Sequence, residues 1–264
     1  MKKRINDLSV FLDGDQNSRS IIFVHGFPFD HYMWENQVKD FRDEHCCVTY
    51  DIRGLGSSPA DNGQFTIEMF VDDLEEIINT LNLEKSVLCG LSMGGYISLR
   101  AVERMQEKFS TIIFCDTKSG SDNDEAKLKR AAGVKQINSG KFDSFIDAFV
   151  RNCFGDTFVN EKKNLYDEVV KKSKSNNPVG VKGCLLAMAG RTDTTRFLNK
   201  ITLPTLIISG AEDKLTPPEV MKQMEDQIQS SKFVLVEGAG HMTPIENPQA
   251  VSEAIKNFLS QNGL

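Results

Sequence analysis

The chain has 264 residues, 40% of them hydrophobic and 26% charged, with a formal net charge of −6 at pH 7. Such values belong to globular chains that can bury a sizeable core, and the acidic balance argues against a nucleic-acid surface and against attraction to anionic membranes. No apolar run approaches membrane-spanning length, and the basic start Met1-Lys2-Lys3-Arg4 lacks the apolar stretch of a signal peptide. The expectation is a cytoplasmic protein whose six cysteines are buried free thiols.

In chain order, Ile5 to Leu12 and Ser20 to His25 read as strands separated by the turn Asp13-Gly14-Asp15-Gln16-Asn17. A short helix is expected from Trp34 to Phe41, then a strand at Cys46-Cys47-Val48-Thr49-Tyr50. The loop Asp51-Ile52-Arg53-Gly54-Leu55-Gly56-Ser57-Ser58-Pro59 follows. Its Gly-x-Gly is no dinucleotide fingerprint, because Pro59 stands where the third glycine should be. Thr66 to Leu81 is the clearest helix: Ile67, Phe70, Val71, Leu74, Ile77, Ile78 and Leu81 form one apolar stripe.

Lys85 to Cys89 is a strand running into Gly90-Leu91-Ser92-Met93-Gly94, and a helix carrying Ile97, Ala101 and Met105 comes next. Gly-x-Ser-x-Gly between strand and helix fits a nucleophile elbow. Thr111 to Cys115 is a strand ending at Asp116. From 117 to 200 strands give way to helical stretches at Glu125–Ser139, Phe142–Cys153, Val159–Ser173 and Val179–Ala189. The strand–helix pattern resumes with strands at Leu203–Ser209 and Lys232–Val236 and helices at Pro217–Gln229 and Glu246–Leu259. The alternation implies an α/β protein with a mostly parallel central sheet and helices on both faces.

In such a sheet, functional groups gather at the C-terminal ends of strands. Ser92, Asp213 and His241 all fall at strand ends, in the order Ser, Asp, His. A serine hydroxyl needs a base in hydrogen-bond reach, and the base needs a carboxylate to fix its tautomer. Of four histidines only His241 follows Ser92. Asp213 is the preferred acid, with Asp116, at another strand end, as the alternative. The backbone N–H groups of Met93 and Phe27 are the expected oxyanion donors; Pro28 has none to give. His25 reads as a structural residue tying loops together.

These pieces resemble the α/β-hydrolase superfamily over nearly the whole chain: His25-Gly26-Phe27-Pro28, Asp51-Ile52-Arg53-Gly54-Leu55-Gly56-Ser57-Ser58, Gly90-Leu91-Ser92-Met93-Gly94-Gly95, Gly210-Ala211-Glu212-Asp213 and Gly240-His241. Within it the chain is most similar to small cytosolic esterases, 3-oxoadipate enol-lactonases and cofactor-free haloperoxidase-like esterases. The resemblance implies a core of residues 1–116 and 201–264 with a helical cap at 117–200. It implies a serine hydrolase acting on a small carboxylic ester or lactone through an acyl-enzyme, with no metal or organic cofactor.

Phe29 and Trp34 are expected on the pocket wall, and Arg151, Arg191 and Arg196 as cap cations able to meet a substrate carboxylate. Two other readings use the same residues: a slowly turning small-molecule sensor that signals through a protein partner, and acyl transfer to an alcohol or peroxide. An aspartate in place of Ser92 would have pointed to epoxide hydrolases or haloalkane dehalogenases.

Overall fold

A computed structural model describes residues 1–264. In chain order the elements are β1 (Lys2–Ile5), β2 (Leu8–Asp13), β3 (Ser20–Val24), α1 (Glu35–Phe41), β4 (Cys46–Tyr50), α2 (Ile67–Thr80), β5 (Ser86–Leu91), α3 (Met93–Met105) and β6 (Phe109–Cys115). Then come α4 (Asp124–Asn138), α5 (Phe142–Cys153), α6 (Asp156–Glu161), α7 (Lys163–Lys174) and α8 (Pro178–Ala189). The chain closes with β7 (Thr205–Gly210), α9 (Pro218–Glu225), β8 (Ser231–Val236), α10 (Thr243–Glu246) and α11 (Pro248–Gln261).

One eight-stranded sheet runs in the order β1-β2-β4-β3-β5-β6-β7-β8. β1 and β2 pair antiparallel, as do β2 and β4; every other pairing is parallel. β3, β4, β5 and β7 are buried at every position, which is why they read as unbroken apolar runs. α2 packs on α3, and α1 on α11. Strand order reverses between β3 and β5, with β4 lying to one side and β6 to the other. That reversal opens a crevice beyond the strand ends.

Several boundaries differ from expectation for local reasons. The strand expected over Ile5–Leu12 is the second half of a hairpin. Asn6 and Asp7 both take positive φ, 47° and 62°, the pairing that a tight two-residue turn requires. The helix expected over Val159–Ser173 is two, α6 and α7, broken at Lys162. The expected Glu246–Leu259 helix also splits at Asn247, because Pro248 disfavours a helical residue before it. Asn247 then caps α11, its Oδ1 accepting from Ala250 N at 3.3 Å. The helix expected over Pro217–Gln229 ends earlier, at Glu225.

Between β6 and β7 the chain contributes α4 to α8 and no strand. Two of its faces touch the loops at the sheet's C-terminal edge. α8 meets the loop after β4 through glycine against glycine: a Cβ on Gly180 would lie 1.9 Å from Gly54 O. The turn after α5 meets the loop after β8, where His241 N donates to Cys153 O at 2.9 Å. All six cysteines are free and buried. No helix is long and apolar enough to cross a membrane.

Candidate active site

Ser92 stands between β5 and α3 with φ 53° and ψ −111°. A non-glycine residue in that region carries strain of about 1–3 kcal/mol, which persists only where the surroundings over-determine it. They do so here. Ser92 N donates to Cys115 O at 3.1 Å, and Thr117 Oγ1 donates to Ser92 O at 2.8 Å. The flanking glycines are required by contact: a Cβ on Gly94 would sit 2.2 Å from Val24 O, and one on Gly90 2.5 Å from Gly94 O. The motif is therefore the condition for α3 to start directly against β3 and β5.

The structure brings Ser92, His241 and Asp213 together. His241 Nε2 lies 2.9 Å from Ser92 Oγ, and His241 Nδ1 lies 2.8 Å from Asp213 Oδ2. Asp213 is held by its own turn: Oδ1 accepts from Leu215 N at 2.8 Å and Thr216 N at 3.0 Å, and Oδ2 accepts from the Thr216 hydroxyl at 2.6 Å. Both His241 and Asp213 are buried. Burial pulls the His241 pKa down, but the Asp213 charge and hydrogen bond, with the Asp116 and Glu246 charges, together outweigh it, and the net shift is upward from 6.5. Asp213 is shifted downward; burial opposes ionisation, and His241 together with the bonds from Thr216 overcomes it.

Asp116, the alternative acid, makes no hydrogen bond to His241. Its Oδ1 accepts from Gly210 N at 2.8 Å and its Oδ2 from the Thr243 hydroxyl. It ties the ends of β6 and β7 to α10. Burial, then the nearby Asp213 charge, push its pKa well above the usual carboxylate range. His25 is fully buried between loops. Its Nδ1 donates to Gly26 O at 2.9 Å, so its Nε2 is the acceptor for Ile52 N at 2.8 Å. Both nitrogens are spent, and burial lowers its pKa.

The N–H groups of Phe27 and Met93 donate to no group in the protein. Phe27 N belongs to the turn after β3 and Met93 N to the first residue of α3, where no intrahelical partner exists.

A cavity of about 360 Å³ opens onto Ser92 and His241. Its apolar wall is Phe27, Phe145, Phe149, Leu185, Met188 and Leu215; its polar wall includes Tyr96, Thr216, Lys118, Asp122, Lys129, Arg130 and Lys214. Phe27 meets Phe149 edge-on, with ring centroids 5.0 Å apart.

The other expected wall residues lie elsewhere. Phe29 lines a separate cavity of about 100 Å³ behind the 26–29 turn. Trp34 is wholly buried against Phe23, centroids 5.1 Å apart. Arg151 pairs with Asp156 beside Phe154, and Arg196 is exposed. Arg191 is buried behind Tyr96, its guanidinium 4.1 Å from the ring centre and bonded to Asp122 at 2.6 Å.

The cations that do line the cavity are Lys118, Lys129, Arg130 and Lys214, none of them expected there from sequence. Asp122, itself buried, holds Arg191 and Arg130 and lies 3.7 Å from Lys118. One carboxylate thus serves three cations. Burial, then Arg191, lower the Lys118 pKa. The sequence signal was Lys118 and Asp122 at the start of the insertion, just past the strand end at Cys115. No group of three His, Cys, Asp or Glu side chains is arranged to hold a metal ion.

A family model described as alpha/beta hydrolase fold matches residues 19–248. The 3-oxoadipate enol-lactonase 1 of Acinetobacter baylyi is 29% identical over 252 residues, 96% of this chain and 92% of that protein. A thermophilic esterase from Thermogutta terrifontis superposes with a TM-score of 0.93 at 30% identity, covering 99% of this chain and 98% of the esterase. A bromoperoxidase from Bacillus anthracis, 23% identical, shares the fold with a TM-score of 0.86 over 98% of this chain and 99% of its own. With the sheet, the strained serine turn and this match across most of its length, the chain belongs to the alpha/beta hydrolase fold family.

Proposed function

We propose that this protein hydrolyses a small carboxylic ester or lactone through an acyl-enzyme on Ser92. The observation that carries the reading is the continuous line Asp213–His241–Ser92, with 2.8 Å and 2.9 Å links. Asp213 holds the proton of His241 on Nδ1, which leaves Nε2 free to accept the Ser92 proton as Oγ attacks the carbonyl carbon. The oxyanion that forms is met by the N–H groups of Phe27 and Met93. The imidazolium then gives its proton to the departing alkoxide oxygen. Water attacks the acyl-enzyme, His241 takes a water proton, and return of that proton to Ser92 Oγ frees the acid. In this reading residues 117–200 act as a cap that walls the cavity.

Support for ester or lactone chemistry comes from the Thermogutta esterase and the Acinetobacter enol-lactonase. The cavity narrows the choice. Lys118 and Arg130 give it a positive wall with Asp122 already shared, so the preferred ester or lactone carries a carboxylate. Lys118→Met is expected to raise KM for carboxylate-bearing esters about tenfold, the loss of one charge-assisted contact. KM for a matched neutral ester should not move. Steady-state kinetics on such a pair checks it; equal losses on both esters would remove the anion preference.

The acid limb of activity follows from His241. Only neutral imidazole can take the Ser92 proton, and the Asp213 charge raises its pKa above 6.5. Activity is therefore expected to fall as pH drops, with a midpoint of kcat/KM above 6.5. A pH–rate profile with its acid midpoint clearly below that value would break the link between His241 and the base.

A further inference from the structure

We propose that Asn176 is a positioning residue for the oxyanion turn, through which the helical insertion sets the geometry at Ser92. The inference rests on the reading of Ser92 as nucleophile and Phe27 N–H as oxyanion donor. Asn176 follows α7 and is buried. Its Nδ2 donates to Pro28 O at 2.8 Å and to Ser173 O at 3.1 Å, while its Oδ1 accepts from Gly56 N at 2.7 Å. Two carbonyls and one N–H leave the amide a single orientation.

Pro28 is the residue after Phe27, and no other group donates to its carbonyl. The peptide whose N–H would meet the oxyanion is otherwise held through its own carbonyl, where Phe29 N donates to Gly26 O at 3.0 Å and His25 Nδ1 at 2.9 Å, and by Gly26 N donating to Met33 Sδ; Asn176 adds the only bond at Pro28 O. A carbonyl left loose at Pro28 lets the turn rotate, and a misplaced donor loses most of its effect on the developing charge.

Gly56 lies in the loop after β4 and crowds the Asp51 carboxylate, where a Cβ would come within 2.5 Å of Oδ2. Asp51 in turn accepts from His31 N at 3.0 Å and Ser57 N at 2.8 Å. One side chain from the insertion therefore knits the loops after β3 and β4. The insertion also holds the base loop: Gly155 N donates to Glu246 Oε2 at 2.8 Å, and Met242 N, next to His241, donates to Glu246 Oε1 at 3.0 Å. The insertion is thus keyed to both loops that flank the reacting centre.

The test compares wild type with N176A and N176D on a p-nitrophenyl ester. Loss of the Pro28 anchor is expected to lower kcat about 10- to 100-fold with KM nearly unchanged, a fraction of what deleting an oxyanion donor costs. Affinity for an alkylboronic acid, which forms the tetrahedral adduct, should fall by a similar factor, while inhibition by the product acid stays constant. N176D separates the two ends of the side chain, because its carboxylate still accepts from Gly56 N–H but cannot donate to Pro28 O or Ser173 O. It also carries the test if N176A does not fold.

Hydrogen exchange over residues 25–31 should quicken in both variants. A folded variant with kcat and boronate affinity within twofold of wild type would overturn the proposal. Wild type inert to every ester would instead sink the hydrolase reading. Exchange at 25–31 would then decide alone: faster exchange retains the role of Asn176 in holding the turn, and unchanged exchange removes it.

Discussion

Replacing Ser92 by alanine is expected to abolish steady turnover of short-chain p-nitrophenyl esters, by about 10⁶-fold in kcat, the scale on which serine nucleophiles are lost. Without Oγ no acyl-enzyme can form, and the aligned His241 has no proton to accept. The variant should still fold. Ser92 Oγ makes a single bond, to His241, whereas the strained turn is held by the backbone at Cys115 and by the Thr117 hydroxyl.

Stopped-flow release of p-nitrophenol is the measurement. Wild type should give a burst and then steady release, and S92A neither. Turnover that survives S92A would put the nucleophile elsewhere. A stoichiometric burst with no turnover in wild type would favour the slow sensor over the hydrolase.

Asp213→Asn is expected to lower kcat about 10⁴-fold, the cost seen when the orienting carboxylate of such a triad becomes an amide. The surroundings dictate how. Leu215 N and Thr216 N both donate to Oδ1. An amide oxygen would stay there, which turns the new NH₂ toward His241 Nδ1. That nitrogen must then accept, the ring proton moves to Nε2, and His241 can no longer take a proton from Ser92.

Asp116→Asn is the matched control. Burial and the Asp213 charge push Asp116 well above the usual carboxylate range, and asparagine imitates a protonated carboxyl closely. Its activity is expected within a few-fold of wild type. Kinetics of the two variants side by side decide the acid: a larger loss in D116N than in D213N would exchange their roles.

Local chemistry made much of this molecule readable before folding. The apolar runs at Ile21–Val24 and Thr111–Cys115 announced buried parallel strands because those strands have no wet face to mark with polar residues. Gly90 and Gly94 announced the serine turn because no Cβ fits there. What local pattern misread were breaks made by one or two residues: the positive-φ pair Asn6-Asp7, the end of α6 at Lys162, and Asn247 ahead of Pro248.

The candidate site divides the same way. Ser92, Asp213 and His241 were legible because chain order and strand ends constrain where they fall. The cavity wall was not, because an insertion of helices can turn any of its charges inward. Arg151, Arg191 and Arg196 read as equal candidates. The fold spends Arg151 on Asp156, buries Arg191 behind Tyr96, leaves Arg196 in water, and lines the cavity with Lys118, Lys129, Arg130 and Lys214. Asn176 and Asn177 stand side by side before Pro178. Asn177 does cap α8, through Val179 N at 2.8 Å, but Asn176 reaches 148 positions back to Pro28.

Composition, periodicity and motif order sufficed for the class of fold and for naming the three residues, since strands, turns and helices are marked locally; the sheet then brings their loops together. The lining of the cavity, the company of Asp122 and the hold of Asn176 on the turn at Phe27-Pro28 came from packing between distant segments. No local pattern encodes which of several equivalent side chains a neighbouring helix will face.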